Sequence, residues 1–234
     1  MTQSAPAALC RRRLARVMGW ELAPHVSFCV ASDRVLFLDV RHDRYFALPG
    51  TMSASFRAWL ESGGRADHAP PAIPLLVEAG LLRATVAAVP LQPVNLAIPT
   101  RSLPKASAPA TRLAALRAWT GAHASLYRTR RRLRADGLHG LIAHARTARP
   151  GTPLPPRPFA LGFQFARGPR ALEGDCLPAS FAMLDFLHRR GSDARAVFGV
   201  IANPFRAHCW LQSETEILND DVDHVRAFTP ILVL

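Results

Sequence analysis

Lysine is almost missing from this chain: Lys105 is the only one, and arginine carries the rest of the positive charge. Such a choice of residue reflects gene composition as much as function, yet the formal net charge of +12 still implies an acidic partner or surface. Cysteine is scarce too. Cys10, Cys29, Cys176 and Cys209 show no paired spacing of the disulfide-framework or zinc-ribbon kind, so a reducing, cytoplasmic setting is expected. No apolar run approaches the roughly 18 residues that span a bilayer, which argues against stable membrane insertion. Met1 to Trp20 holds Arg11-Arg12-Arg13 and lacks the continuous apolar core of a signal peptide, so it reads as a ragged N-terminus or a short amphipathic helix. A glycine-rich phosphate loop is also lacking, and no ATP or other cofactor is expected to bind this chain. What is present, 234 residues with 49% hydrophobic content, suffices for one large or two small folded domains and excludes disorder throughout.

From Val26 the pattern alternates as strands do. Val26–Val30, Arg34–Asp39 and Arg44–Leu48 are separated by Ala31-Ser32-Asp33 and His42-Asp43, which predicts a small antiparallel meander. Two helices should follow, Ala54–Glu61 capped by Ser53, and Pro74–Leu82 with Leu75, Leu76, Ala79 and Leu82 on one face. Residues 89–110 hold five prolines among small residues, the composition of a linker between residues 1–88 and 111–234. Arg112–Arg134 is helical in pattern. Its cluster Arg128, Arg130, Arg131, Arg132 and Arg134 reads either as a solvated face or as a patch for an acidic peptide, a partner enzyme or nucleotide phosphates. A second proline-rich connector spans Pro150–Pro158.

The stretch Gly174-Asp175-Cys176-Leu177-Pro178 opens the helix around which the chain is organised. Leu177, Phe181, Leu184 and Leu187 line one face, and Arg189-Arg190-Gly191 ends it. Pro178 fits only in a first turn, where no N–H is needed, so the helix begins near Leu177 and Cys176 stands at its N-terminus. There the first-turn amides and the helix dipole favour an anion, and the thiolate is cysteine's nucleophilic form. The alternative is an inert, buried cysteine. Arg195–Ile201 and Ala207–Leu211 read as strands joined at Asn203-Pro204, with Glu216–Asp220 as a third short run. If Ser213-Glu214-Thr215 is the loop, Gln212 faces Glu216 and His208 falls opposite Asp220, where Cβ atoms about 4.5–5.5 Å apart would let a carboxylate fix the imidazole tautomer. Asp221 and Asp223 are rivals, since a one-residue slip exchanges the faces. A metal site from Cys176, His208 and Cys209 would need ligands from both faces of one strand, so no metal is expected.

The order of a helix-terminal cysteine followed by strands bearing His and Asp resembles the papain-like and transglutaminase-like cysteine enzymes. More narrowly, Cys176-Leu177-Pro178-Ala179-Ser180, Asn203-Pro204-Phe205-Arg206-Ala207-His208-Cys209-Trp210 and Leu218-Asn219-Asp220 resemble the lasso-peptide maturation B proteins, the leader peptidases. That resemblance covers residues 161–234 and implies Cys176, His208 and Asp220 as the catalytic residues. Gln164 lies upstream of the nucleophile, where papain-like enzymes place an oxyanion-hole glutamine, although the Cys176 N–H at the helix start is the better donor. Three strands followed by helices, with Tyr-x-Ala-Leu before the first helix, resemble the PqqD-like winged-helix recognition element over residues 26–85. By that resemblance Tyr45, Phe46, Ala47 and Leu48 form an edge that accepts a leader peptide as an added strand, with Leu75, Leu76 and Ala79 as groove candidates.

The expected architecture is thus α+β, a winged-helix-like PqqD-like domain followed by a transglutaminase-like/papain-like cysteine protease domain. The expected partners are a lasso precursor peptide and an asparagine-synthetase-like cyclase, whose ATP use can govern activity. A winged helix raises DNA binding, but Arg34, Arg41, Arg44 and Arg57 are balanced by Asp33, Asp39, Asp43 and Glu61, so no nucleic-acid partner is expected. The rival activities are acyl transfer by the same triad and a non-catalytic adaptor.

Overall fold

The computed structural model describes residues 19–64, 68–86, 89–104, 111–147, 154–168 and 176–234. Cys10, the Arg11–Arg13 run, Lys105, Pro150 and Gly174-Asp175 lie outside these residues. No helix among the described residues is long and apolar enough to cross a membrane.

The expected meander forms as β2 (Val26–Ala31), β3 (Arg34–Asp39) and β4 (Arg44–Ala47), in the order β2-β3-β4. Its first turn is a two-residue loop in which Ser32 and Asp33 both adopt positive φ, 46° and 65°, the twist that matches flanking strands. The second turn is tied to buried Asp39, whose carboxylate accepts from the Arg41 and His42 N–H groups and bonds His42 Nδ1 at 2.7 Å. Helix α1 (Gly50–Glu61) starts earlier than its Ser53 signal suggests. Ser53 is no cap; its buried hydroxyl accepts from Val35 N–H and donates to Leu48 C=O, clamping the helix to β3. Helix α2 (Ala72–Glu78) stops short of the expected Leu82, because Gly80, φ 71°, turns the chain and Leu82 opens β5 (Leu82–Thr85). That strand pairs antiparallel with β1 (Gly19–Leu22), so Trp20 belongs to a strand and not to an N-terminal helix.

Residues 89–104 are pinned along their length. Val94 N–H bonds Phe28 C=O, Gln212 bonds Ala97 C=O, Leu103 N–H bonds Ile217 C=O, and Leu91 and Leu103 are buried. Beyond it, α3 (Arg112–Thr147) runs far past Arg134, with a kink at Gly137, and α4 (Arg157–Arg167) follows. Arg128 does not join the solvated arginines: its guanidinium holds Asp185, 2.7 Å away on the helix that begins at Cys176. Helix α5 (Cys176–His188) packs against α3, α4 and β7 (Phe205–Gln212) and is buried along most of its length. The last sheet has the order β7-β6-β8, with β6 at Arg195–Ala202, β8 at Thr229–Val233 and the one-turn α6 (Val222–Val225) between β7 and β8.

Two hydrophobic clusters carry most of the burial. The smaller packs Phe28, Phe37, Phe56, Trp59, Ile73 and Leu76 between the meander and α1–α2. The larger centres on α5, taking Phe181, Met183, Leu184 and Leu187 together with Cys29, Leu36 and Leu38 from the opposite face of the meander. Alternation along β2 and β3 thus supplies two cores from one sheet. Through that shared layer β2 and β3 lie against β8 and β6, in the same sheet as the strand that carries His208.

Candidate functional site

Pro178 does what the sequence predicts: α5 begins at Cys176 and places it in the first turn. His208 sits in the middle of β7, opposite Gly199 of β6. Its imidazole stacks on Trp210 at 6.1 Å and lies against Phe228 at 5.3 Å, so one strand face and the segment before β8 hold the ring. The thiol and the imidazole are within hydrogen-bonding reach. That contact, with the His208 charge and the Cys209 and Leu177 backbone N–H groups behind it, outweighs burial and draws the Cys176 thiol below the ordinary thiol range. Cys209 and Cys29 behave oppositely: burial pushes both thiols up, with the nearby Cys176 adding to the rise at Cys209.

Asp220 hydrogen-bonds His208 Nε2. Burial works against an imidazolium here, but the bonds to Asp220 and Cys176 override it and raise His208 to about 9. Burial likewise opposes charge on Asp220, and the bonds from His208, the Asp221 N–H and His224 hold its carboxyl below the usual range. With the thiol lowered and the imidazole raised, the proton between them is biased from Cys176 toward His208.

The register that led to Asp220 is not the register observed. Gln212 pairs with Ile217 rather than Glu216, a slip of one residue, and Glu216–Asp220 is not a strand beyond this bridge. Carried on as a strand, that slip would turn Asp220 away from His208. The chain instead leaves the sheet after Leu218. Asn219 Oδ1 accepts the Leu211 N–H at 2.7 Å and its Nδ2 donates to Ser180 Oγ at 2.8 Å, while Ser180 donates to Cys209 C=O. This polar knot joins α5, β7 and the turn, and swings Asp220 onto His208. The rivals are occupied elsewhere: Asp221 caps α6 through the Asp223 N–H, and Asp223 is an exposed partner of Arg226.

Gln164 lies on α4 and donates Nε2 to Leu218 C=O at 2.6 Å, bracing the turn before Asp220. That use of its amide points away from an oxyanion role, because the donor is already aimed at a carbonyl. At the other candidate site, Tyr45 is half-buried, packs against the larger core and meets Phe205 of β7 at 5.4 Å, whereas Phe46 stacks on Phe37 in the smaller core. Leu48 is buried and lies beyond β4, and Leu76 is also buried. Leu75 and Ala79 remain exposed beside them. Side-chain burial therefore leaves the backbone edge of β4, and not the aromatic rings, as the exposed feature.

His224 was not legible from the motifs. It follows Asp220 by four residues, and its Nδ1 lies 3.0 Å from Asp220 Oδ1. His208, Asp220 and His224 also form a group whose potential metal-ligand atoms lie within 4.8 Å of one another, but these atoms face each other in hydrogen bonds.

Gly199 permits this packing. A Cβ there would stand 2.6 Å from the Trp210 ring and 2.8 Å from Phe228 Cβ, the two groups that back His208. Gly199→Ala is expected to cost about 1–3 kcal/mol by overpacking, lowering the melting temperature by several degrees, with a wild-type melt counting against this role.

Residues 110–233, more than half the chain, match the family described as the transglutaminase-like superfamily. The microcin J25-processing protein McjB of Escherichia coli is 38% identical over 48 residues, 20% of this chain and 23% of that protein's length. The chain therefore spans about a quarter of the curated relative it matches, and the likeness is consistent with a lasso peptide biosynthesis B protein. No solved structure is matched. The matched span takes in Cys176, His208 and Asp220, and the chain belongs to the transglutaminase-like superfamily.

Proposed function

We propose that this protein is a cysteine peptidase that binds the leader of a ribosomally made lasso-peptide precursor and cuts it from the core. The observation that carries the reading is the chain of contacts Cys176–His208–Asp220 in a chain similar to McjB. The thiolate attacks the scissile carbonyl while first-turn N–H groups of α5 face the developing oxyanion. His208 gives its proton to the leaving amine, then takes one from water as the acyl-enzyme hydrolyses. Asp220 holds His208 in the tautomer that keeps Nε2–H on the carboxylate side. The chemistry uses no cofactor of this chain. The freed core amine is then the substrate of a ring-closing partner, an ATP-using cyclase, and ATP dependence of the combined reaction belongs to that partner.

Leader binding falls to β4, whose far edge pairs with no strand among the described residues. Leu48 N–H bonds Val35 C=O at 3.0 Å, so alternation turns the backbone groups of Phe46 and Arg44 toward β3 and those of Tyr45 and Ala47 outward. An added strand would pair with Tyr45 and Ala47. Ala47→Pro, which removes an outward donor, is expected to weaken binding of a labelled leader peptide about tenfold by fluorescence anisotropy. Leu48→Pro would instead break an internal bond and unfold the edge. Unchanged affinity in a folded Ala47→Pro protein sinks the assignment.

The superfamily match keeps acyl transfer open as a second reading, since the same triad can pass the acyl group to an amine. Intact-mass analysis of the precursor encoded beside this gene, incubated with this protein, the cyclase and ATP, separates them. A leader acid bearing one added water supports the peptidase; a leader joined to an amine supports transfer.

A further inference from the structure

We infer that His224 is a positioning residue for the triad, the second of two imidazoles that grip the Asp220 carboxylate. The inference rests on the peptidase reading for its kinetic consequence and on geometry alone for its structural one. Each oxygen of Asp220 has its own work: Oδ2 bonds His208 Nε2, while Oδ1 takes the Asp221 N–H at 2.7 Å and His224 Nδ1 at 3.0 Å. A carboxylate held by one oxygen can rotate about its Cβ–Cγ bond; one held by both cannot without breaking a bond. His224 reaches Oδ1 because Asp221 caps α6, which sets Asp220 and His224 four residues apart at the start of a helical turn. Behind it, the His224 ring packs edge-on against Phe228 at 5.4 Å, and that same ring backs His208 at 5.3 Å. The two imidazoles stand 4.8 Å apart. Phe228 and Asp220 thus form two shared supports for a pair of histidines of which only His208 contacts the thiol.

The charged groups around this cluster are few and placed outward. Asp223 and Arg226 pair with each other on the same turn at 3.7 Å, Asp221 is bound to the Asp223 N–H, and Arg206 of β7 lies over the outer face of Phe228 at 5.5 Å. From α5 the facing group is Cys176 itself. None of these supplies a second side-chain donor to Oδ1, and that role falls to His224.

Two substitutions separate this role from general packing. His224→Phe keeps a ring against Phe228 and removes the donor; His224→Asn places an amide N–H where Nδ1 stood. With the precursor as substrate, the Phe variant is expected to lose kcat about tenfold, the scale of one hydrogen bond to a charged group, at unchanged KM. The Asn variant is expected to recover most of it. A second readout needs no substrate: the pH dependence of iodoacetamide alkylation at Cys176, followed by peptide mass. With Oδ1 left to the Asp221 N–H alone, the carboxylate is held less firmly and His208 supports the thiolate less, so half-maximal alkylation should move up by about half a unit in the Phe variant and return in the Asn variant.

A Phe variant with wild-type kcat and an unmoved alkylation profile overturns the inference. So does a change confined to KM, which would mean that His224 touches the substrate, or a folded Asn variant that restores nothing. Should the wild type cut no precursor while the alkylation profiles move as described, the positioning role stands and the peptidase reading is what fails.

Discussion

Cys176→Ala is expected to release no leader at any pH while binding the leader as tightly as the wild type. Loss of a nucleophile leaves only the oxyanion donors and substrate binding, so the rate should fall by about four orders of magnitude or more. Binding is spared because β4 belongs to another sheet from β7 and its outward groups lie on Tyr45 and Ala47. Wild-type activity should itself trace a bell. On the acid side the rate rises as the thiol ionises, at a pH below the ordinary thiol value because His208 hydrogen-bonds the thiolate. On the alkaline side it falls as His208, raised to about 9, loses the proton that the leaving amine needs. Intact-mass time courses from pH 5 to 10 measure both limbs. Leader release by the Ala variant would place the nucleophile elsewhere, and a profile still rising past pH 10 would remove His208 as the acid.

Sequence reasoning went furthest where a single residue forces a local geometry. Pro178 fixed the start of α5, and Ser32-Asp33 and His42-Asp43 marked turns in which Ser32, Asp33 and Asp43 do adopt positive φ. Alternation in β2 and β3 was equally legible, although only the structure shows that their two faces feed two different cores. What it could not supply was long-range pairing. Nothing local in Gly19–Leu22 announces a partner at Leu82–Thr85, and β8 pairs with β6 across a long stretch that includes all of β7. The proline-rich stretch 89–104 has a linker's composition, yet its carbonyls and amides are taken up by Phe28, Gln212 and Ile217. Leu76 shows how periodicity identifies a face without saying what covers it, since the smaller core does so.

The site itself was found by a route that the structure corrects. His208 and Asp220 meet, but through the Asn219 knot and not through strand pairing, and nothing local announces that knot because the partners of the Asn219 side chain, Leu211 and Ser180, lie on other elements. Gln164 was chosen for its place upstream of the nucleophile; position along the chain carries no information on where an amide points, and this one points at Leu218. Contacts that depend on two or more elements folding together were the ones missed, His224 among them.

Asp220→Asn is expected to lower kcat by about four orders of magnitude, the loss seen when a triad carboxylate becomes an amide and the imidazole takes the wrong tautomer. It also carries a stability signature. Asp220 contributes through a depressed carboxyl, so its share is present above the unfolded value of about 4 and is lost as pH falls through the folded one. His208 contributes through a raised imidazole, so its share is complete below the unfolded value of about 6.5 and is lost as pH climbs through about 9. Both are in force between about pH 4 and 6.5, and there the wild type should exceed Asp220→Asn in melting temperature by its largest margin. By pH 9.5 the margin should have shrunk, and in the variant the alkaline limb of activity should move down toward the ordinary histidine range. Melts of the two proteins across this range, beside their pH–rate profiles, test both halves. A margin that stays flat with pH, or an alkaline limb that stays near 9 in the variant, would mean that Asp220 is not what holds the proton on His208.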